Sequence, residues 1–198
     1  MELNKKYFLL YKFFNSLFTG LSIGILFTIY KPIEDPSIYS LGGIVLATSM
    51  LIIALFYEKI LNIMSFFKIS LLVEVAILIS LLVFLTLEIS FFSALLIYCI
   101  YQFTFIFGGY LVRAETLVAK EKYFLARIDI FKQVGYLIGL SLSYGFYKLI
   151  DYVYIISEPM IQIRILHYIL IILQLIIILL LIISLRRSVN LKSLTNYK

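Results

Sequence analysis

Apolar stretches of about twenty residues alternate six times with short charged connectors along this 198-residue chain. An α-helix needs about 20 apolar residues to cross roughly 30 Å of hydrocarbon. The pattern therefore predicts six spans, at residues 13–30, 39–57, 69–87, 91–112, 131–150 and 165–185. Pro32 and Pro36 make the first connector a turn that no helix runs through. Leu87, Glu88, Ile89 and Ser90 leave room only for a tight connection, which makes the third and fourth spans antiparallel neighbours. Pro159 interrupts the last connector. The longest connector, 113–132, alternates in charge sign while Leu117, Phe124, Ile128 and Phe131 recur at helical spacing. It predicts a cytoplasmic helical connector with one face on the bilayer or the bundle.

Composition turns the alternation into a fold class. The chain is 63% hydrophobic and 14% charged, against about 25% charged for a soluble domain, so a single all-α, polytopic membrane domain over residues 1–198 is expected. The net charge of +6 does not form one basic stripe, which argues against nucleic-acid binding. Fourteen of the 17 Lys and Arg fall on alternate connectors. They are Lys5, Lys6 and Lys12 before the first span, Lys59 and Lys68, then Arg113, Lys120, Lys122, Arg127 and Lys132, and finally Arg186, Arg187, Lys192 and Lys198. The opposite connectors carry Lys31, Lys148 and Arg164. The positive-inside rule then places both termini in the cytoplasm, in contact with anionic lipid, and the small size suits a bacterial inner membrane. The first apolar run is longer than a signal-peptide core and lacks a small-residue cleavage site, so it is expected to be a retained span. The lone Cys99 permits no disulfide within the chain and reads as a small buried hydrophobe. Tyr30, Tyr39, Tyr57, Tyr152 and Tyr154 at span ends suit the interfacial belt.

Few polar residues interrupt the spans. Asn15, Thr19 and Ser22 share one face of the first, beside Gly20 and Gly24. Such residues either glue helices together or line a polar cavity. Tyr98 and Gln102 are one turn apart in the fourth span, where a glutamine amide must face protein or water. Gly135, Gly139 and Ser143 form a small-residue ridge for tight crossing in the fifth. Glu74 is the one ionisable residue clearly inside a span. It reads as a carboxylate paired to Lys68 or Lys59, with a proton-accepting site as the sharper alternative. His167 reads as interfacial, and the Ile/Leu-rich sixth span, with its single Gln174, as lipid-facing. No nucleophile elbow, zinc-protease helix, phosphate loop or paired-aspartate motif is present in the sequence, so no enzymatic activity, catalytic residue, cofactor or metal site is expected.

From Phe103 through Lys148 the chain resembles the fourth and fifth helices of major facilitator superfamily transporters. The likeness rests on Gly108-Gly109, on Arg113, on the charged link, and on the run Gln133-Val134-Gly135-Tyr136-Leu137-Ile138-Gly139. Six spans with both ends inside, and longer cytoplasmic links after spans two and four, also resemble that family's N-terminal half. The family's Gly-x-x-x-Asp-Arg-x-Gly-Arg-Arg loop is reduced here to Ala54 through the gate-like pair Glu58-Lys59, without the glycines or trailing arginines. The resemblance implies a half-size transporter of a small solute, completed by a second copy or a partner half. Asn15, Thr19, Ser22, Tyr98 and Gln102 would then face its cavity. Two alternatives stay open. One is a non-transporting membrane subunit docking to a larger complex through 113–132. The other is a substrate-capture component of an energy-coupled importer, although that family's Ala-x-x-x-Ala patch is replaced here by glycines.

Overall fold

Local signals set the helix boundaries. The computed structural model describes residues 3–88 and 90–185, and every regular element among them is helical. Asn4 caps α1 (Lys5–Ile29) by accepting from the Tyr7 N–H at 3.4 Å. Asp35 caps α2 (Pro36–Leu55), which starts with its proline in the first turn. The Ser37 backbone N–H, 2.8 Å from Asp35 Oδ1, holds that exposed carboxyl below the usual aspartate range. A short α3 (Tyr57–Ile60) leads to α4 (Ile63–Thr86), capped by Asn62. Ser90 and Ser93 form a reciprocal capping box on α5 (Phe91–Ile106), which a local break at Phe107 separates from α6 (Gly108–Ala119). Lys120 takes a left-handed φ of 60°, and α7 (Lys122–Tyr154) then runs for 33 residues. Finally α8 (Pro159–Ser184) opens on its own proline.

Five helical segments are long and apolar enough to cross a membrane: α1, α2, α4, α5 continued by α6, and α8. Glycine, serine and tyrosine make α7 less apolar, yet it lies along α1 through that helix's middle. Gly135 meets the Phe13 backbone, Gly139 meets Leu17 and Gly20, and the Ser143 hydroxyl donates to the Leu21 carbonyl at 3.2 Å. These contacts climb in the same order along both helices, so α1 and α7 run parallel. At one end of the bundle the Asn4 N–H donates to the Ser184 carbonyl at 2.8 Å, and the Lys5 ammonium pairs with Glu121 at 2.8 Å. The start of α1, the start of α7 and the end of α8 are therefore neighbours.

The packing has a repeat. Helix α1 packs on α7 and α8, α5 packs on α2 and α4, and α4 packs on α8. In the series α1, α2, α4, α5, α7, α8, moving every helix three places along converts the first set of neighbours into the second and leaves the α4–α8 pair in place. The inner pair is α4 and α8, while α2 has no buried residue at all.

Residues 113–132 are helical on either side of a break at Lys120: α6 prolongs the fourth span to Ala119 and α7 starts at Lys122, with Glu115 and Lys132 paired between them. Two expectations are corrected. The three N-terminal lysines do not form a tail, since Lys5, Lys6 and Lys12 lie within α1. The sixth span does not simply face lipid. One whole side of α8, including Leu166, Leu170, Ile177 and Leu181, is in the core, and His167 is buried against Phe84, with ring centroids 3.9 Å apart. The basic residues from Arg186 onward lie outside the described residues.

The α1–α7 seam gives a direct stability test. A Cβ at Gly139 would press on the Leu17 and Gly20 backbone, which cannot yield as a side-chain tip can, whereas Gly145 has nothing within 4 Å. Gly139→Ala should cost about 1–3 kcal/mol and lower the thermal midpoint in detergent, while Gly145→Ala should leave it unchanged. Equal midpoints for the two variants would contradict this seam.

Candidate functional site

Glu74 sits at the middle of the 24-residue α4, with 2% of its surface exposed. Its partners come from other helices. On α1, Tyr11 and Asn15 are four residues apart and project from one face. The Tyr11 hydroxyl and the Asn15 amide both donate to Glu74 Oε1, at 2.7 and 2.8 Å. From α8, Gln174 Nε2 donates to Oε2 at 2.8 Å and to the Glu74 carbonyl at 2.9 Å. Three side-chain donors thus hold the carboxyl group, and no ion pair reaches it among the described residues. This corrects the expected pairing with Lys68 or Lys59. Both point out from the bundle surface, while Glu74 faces α1 and α8.

A second charged set lies beside it. The Lys12 ammonium, next in sequence to Tyr11, pairs with Glu115 of α6, and Lys132 of α7 approaches the other Glu115 oxygen at 3.2 Å. Lys132 also lies 3.8 Å from Asp129. Aromatic faces surround the Lys12 charge: the rings of Tyr11, Phe8 and Phe66 have centroids 5.1, 5.4 and 5.8 Å away. Such contacts gain strength when desolvated. Three carboxyl groups, of Glu74, Glu115 and Asp129, thus stand beside the two cations of Lys12 and Lys132. Through its pair with Glu115, Lys12 connects α1 to α6.

The other sequence candidates do not converge on one cavity. Asn15 joins the Glu74 cluster, but Thr19 is exposed and donates to the Asn15 carbonyl, and buried Ser22 donates to the Thr19 carbonyl. Tyr98 belongs to an aromatic group at the other end of the bundle. Its ring is edge-on to Tyr30 and Tyr39, at 5.5 and 5.4 Å, and its hydroxyl lies against Gly42 of α2. Gln102 lines a cleft of ≈ 260 Å³ between α2 and α5, shared with Tyr98, Cys99 and Phe103, and its Oε1 finds no donor among the described residues. Cys99 is exposed rather than buried. Glu58 and Lys59 are both exposed on α3 and form no ion pair among the described residues. No group of three potential metal ligands occurs among the described residues.

Sequence reading missed Tyr11, Lys12, Glu115, Lys132 and Gln174 as members of the site. Two of them carried a signal. Gln174 is a lone amide in an Ile/Leu run, and in lipid such a group needs a partner. Glu115 is an acid within a basic stretch.

No protein-family model matches the chain, and no curated protein or solved structure matches it. The all-helical bundle and its apolar helices define a multi-pass membrane protein.

Removing one member of the buried ion pair leaves its partner unpaired, at a typical cost of about 3–5 kcal/mol. Glu115→Leu should therefore destabilise the purified protein strongly, and adding Lys12→Met should recover most of the loss. Chemical denaturation in mild detergent measures both. A double variant no more stable than the single one would show that Lys12 and Glu115 do not act as a pair.

Proposed function

We propose that this protein is a half-size, facilitator-like transporter of a small solute, working as two six-helix units supplied by a second copy or a partner half. The observation that carries the reading is the three-place exchange in helix packing. Three-helix repeats of inverted orientation, nested within a six-helix half, are a feature of facilitator folds. An odd number of spans per repeat requires that α7 cross the membrane, and its parallel course along α1 supports this. The hydrogen bond between Asn4 and Ser184 supports an even number of crossings. Helices α2 and α7 hold equivalent places in the two repeats and expose broad apolar faces, Leu41, Ile44 and Leu51 on one and Leu137, Leu142 and Leu149 on the other. In this reading the bundle lies in a bacterial inner membrane with the Asn4–Ser184 end in the cytoplasm.

Glu74 is the group that would couple transport to protons. A glutamine in its place still accepts from Tyr11 and Asn15 through Oε1, and a turned Gln174 amide accepts from the new Nε2 at the cost of one hydrogen bond to the residue-74 carbonyl, about 1 kcal/mol. Glu74→Gln should therefore fold with a near-normal thermal midpoint and lose pH-driven uptake in proteoliposomes while keeping solute exchange. Uptake that still follows an imposed pH gradient in this variant would exclude Glu74 as the coupling site.

A docking subunit would use the charges that remain outside, Arg113, Lys120, Lys122 and Arg127, since Glu115 and Lys132 are engaged inside. The two readings separate by stoichiometry. Single-molecule counting in native-like nanodiscs should find two six-helix units per particle, and charge reversal at Lys120 and Lys122 should not change that count. Particles with one copy and no second membrane subunit would rule out the half-transporter.

A further inference from the structure

The end of the bundle that carries Asn4 and Ser184 has a cleft of ≈ 400 Å³ between α1 and α7, lined by Lys5, Lys6, Leu9, Leu10, Arg127 and Phe131. The order of these residues is regular. Lys5 and Leu9, Lys6 and Leu10, and Arg127 and Phe131 are each four residues apart, hence one above the other on a helix face. Because α1 and α7 start at the same end and run parallel, all three cations form an outer tier and all three apolar side chains form a tier about 6 Å deeper along the helix axes. Lys5 shares its charge with Glu121 at 2.8 Å, whereas Lys6 and Arg127 form no ion pair among the described residues. The Arg127 guanidinium is braced over the Tyr123 ring, 6.0 Å from its centroid.

We infer that this cleft is a binding site for an anionic phospholipid, with the phosphate held by Lys6, Arg127 and Lys5 and the upper acyl chain lying along Leu9, Leu10 and Phe131. A charged tier directly above an apolar tier matches an amphiphile and not a soluble anion, and its place at the bilayer surface rests on the six-span reading proposed above. A free phosphate would meet the cations but leave the deeper tier uncovered. Basic pockets between membrane helices at this level take anionic headgroups, and each Lys or Arg contributes about 1 kcal/mol at such a surface. The site does not depend on whether the bundle transports. It would fix the lipid at the α1–α7 seam, next to Lys132 and the buried charges.

Native mass spectrometry of the full chain, released from nanodiscs of mixed phosphatidylglycerol and phosphatidylcholine, tests the inference. The wild-type protein should retain phosphatidylglycerol preferentially. Lys6→Gln and Arg127→Gln should each weaken that retention about fivefold, and together about 25-fold, with the thermal midpoint unchanged because both residues are exposed. Lys122→Gln removes the same charge outside the cleft and should have no effect. The inference is overturned if the double variant retains phosphatidylglycerol like wild type, or if Lys122→Gln weakens it equally. Displacement of the lipid by inorganic phosphate would also overturn it, in favour of a site for the anion alone.

Discussion

A bilayer offers no water to a polar side chain, so every charge inside this bundle must find its partner on another helix. That constraint fixes the rotation of α1. Tyr11 and Asn15 must face Glu74 of α4, Lys12 must reach Glu115 of α6, and the edge bearing Leu17 and Gly20 must meet the glycines of α7. Turning α1 by even a quarter would strand Lys12 and Glu74 together. A buried ion pair contributes little stability over a well-packed apolar replacement. Its effect here is selective, because one docking of α1 satisfies the charges and its neighbours do not.

The same arrangement gives the proposed function its physical form. Helix α1 touches both the buried carboxyl group and the α7 seam, so in the proposed function a change in the protonation of Glu74 would reach α7 through Lys12, Glu115 and Lys132. The inner helices α4 and α8 supply a fixed backing, with Gln174 and the stacked His167–Phe84 pair at two depths. The weakly buried α2 and α7 are left on the outside, where a second bundle would add the other wall of a solute pathway.

Local features of this fold were legible in the sequence, and long-range ones were not. Five of the six expected spans follow from hydropathy, which is a property of consecutive residues, whereas α7 is not apolar enough to be read that way. The ridge of Gly135, Gly139 and Ser143 was readable because residues four apart share a helix face. Glu74 was recognisable as anomalous, but its partners are 59 to 100 positions away along the chain. Lys12 and Lys132 were assigned to connectors because a charge near a span end looks like a topological marker until its partner is known. The resemblance to a facilitator half pointed to Thr19, Ser22, Tyr98 and Gln102. Thr19 and Ser22 lie together on α1 and Tyr98 and Gln102 share the α2–α5 cleft, while the polar centre gathers Tyr11 and Asn15 of α1 around Glu74 of α4 and Gln174 of α8.

Everything depends on α7 crossing the bilayer beside α1, and two-sided cysteine labelling tests that most directly. In a Cys99→Ser background, single cysteines replacing Glu121 and Ser157 mark the two ends of α7. An impermeant maleimide added to intact spheroplasts should label position 157 and reach position 121 only after lysis. Labelling of both positions from the same side would contradict the parallel pair, the even number of crossings and the charge cluster built around them.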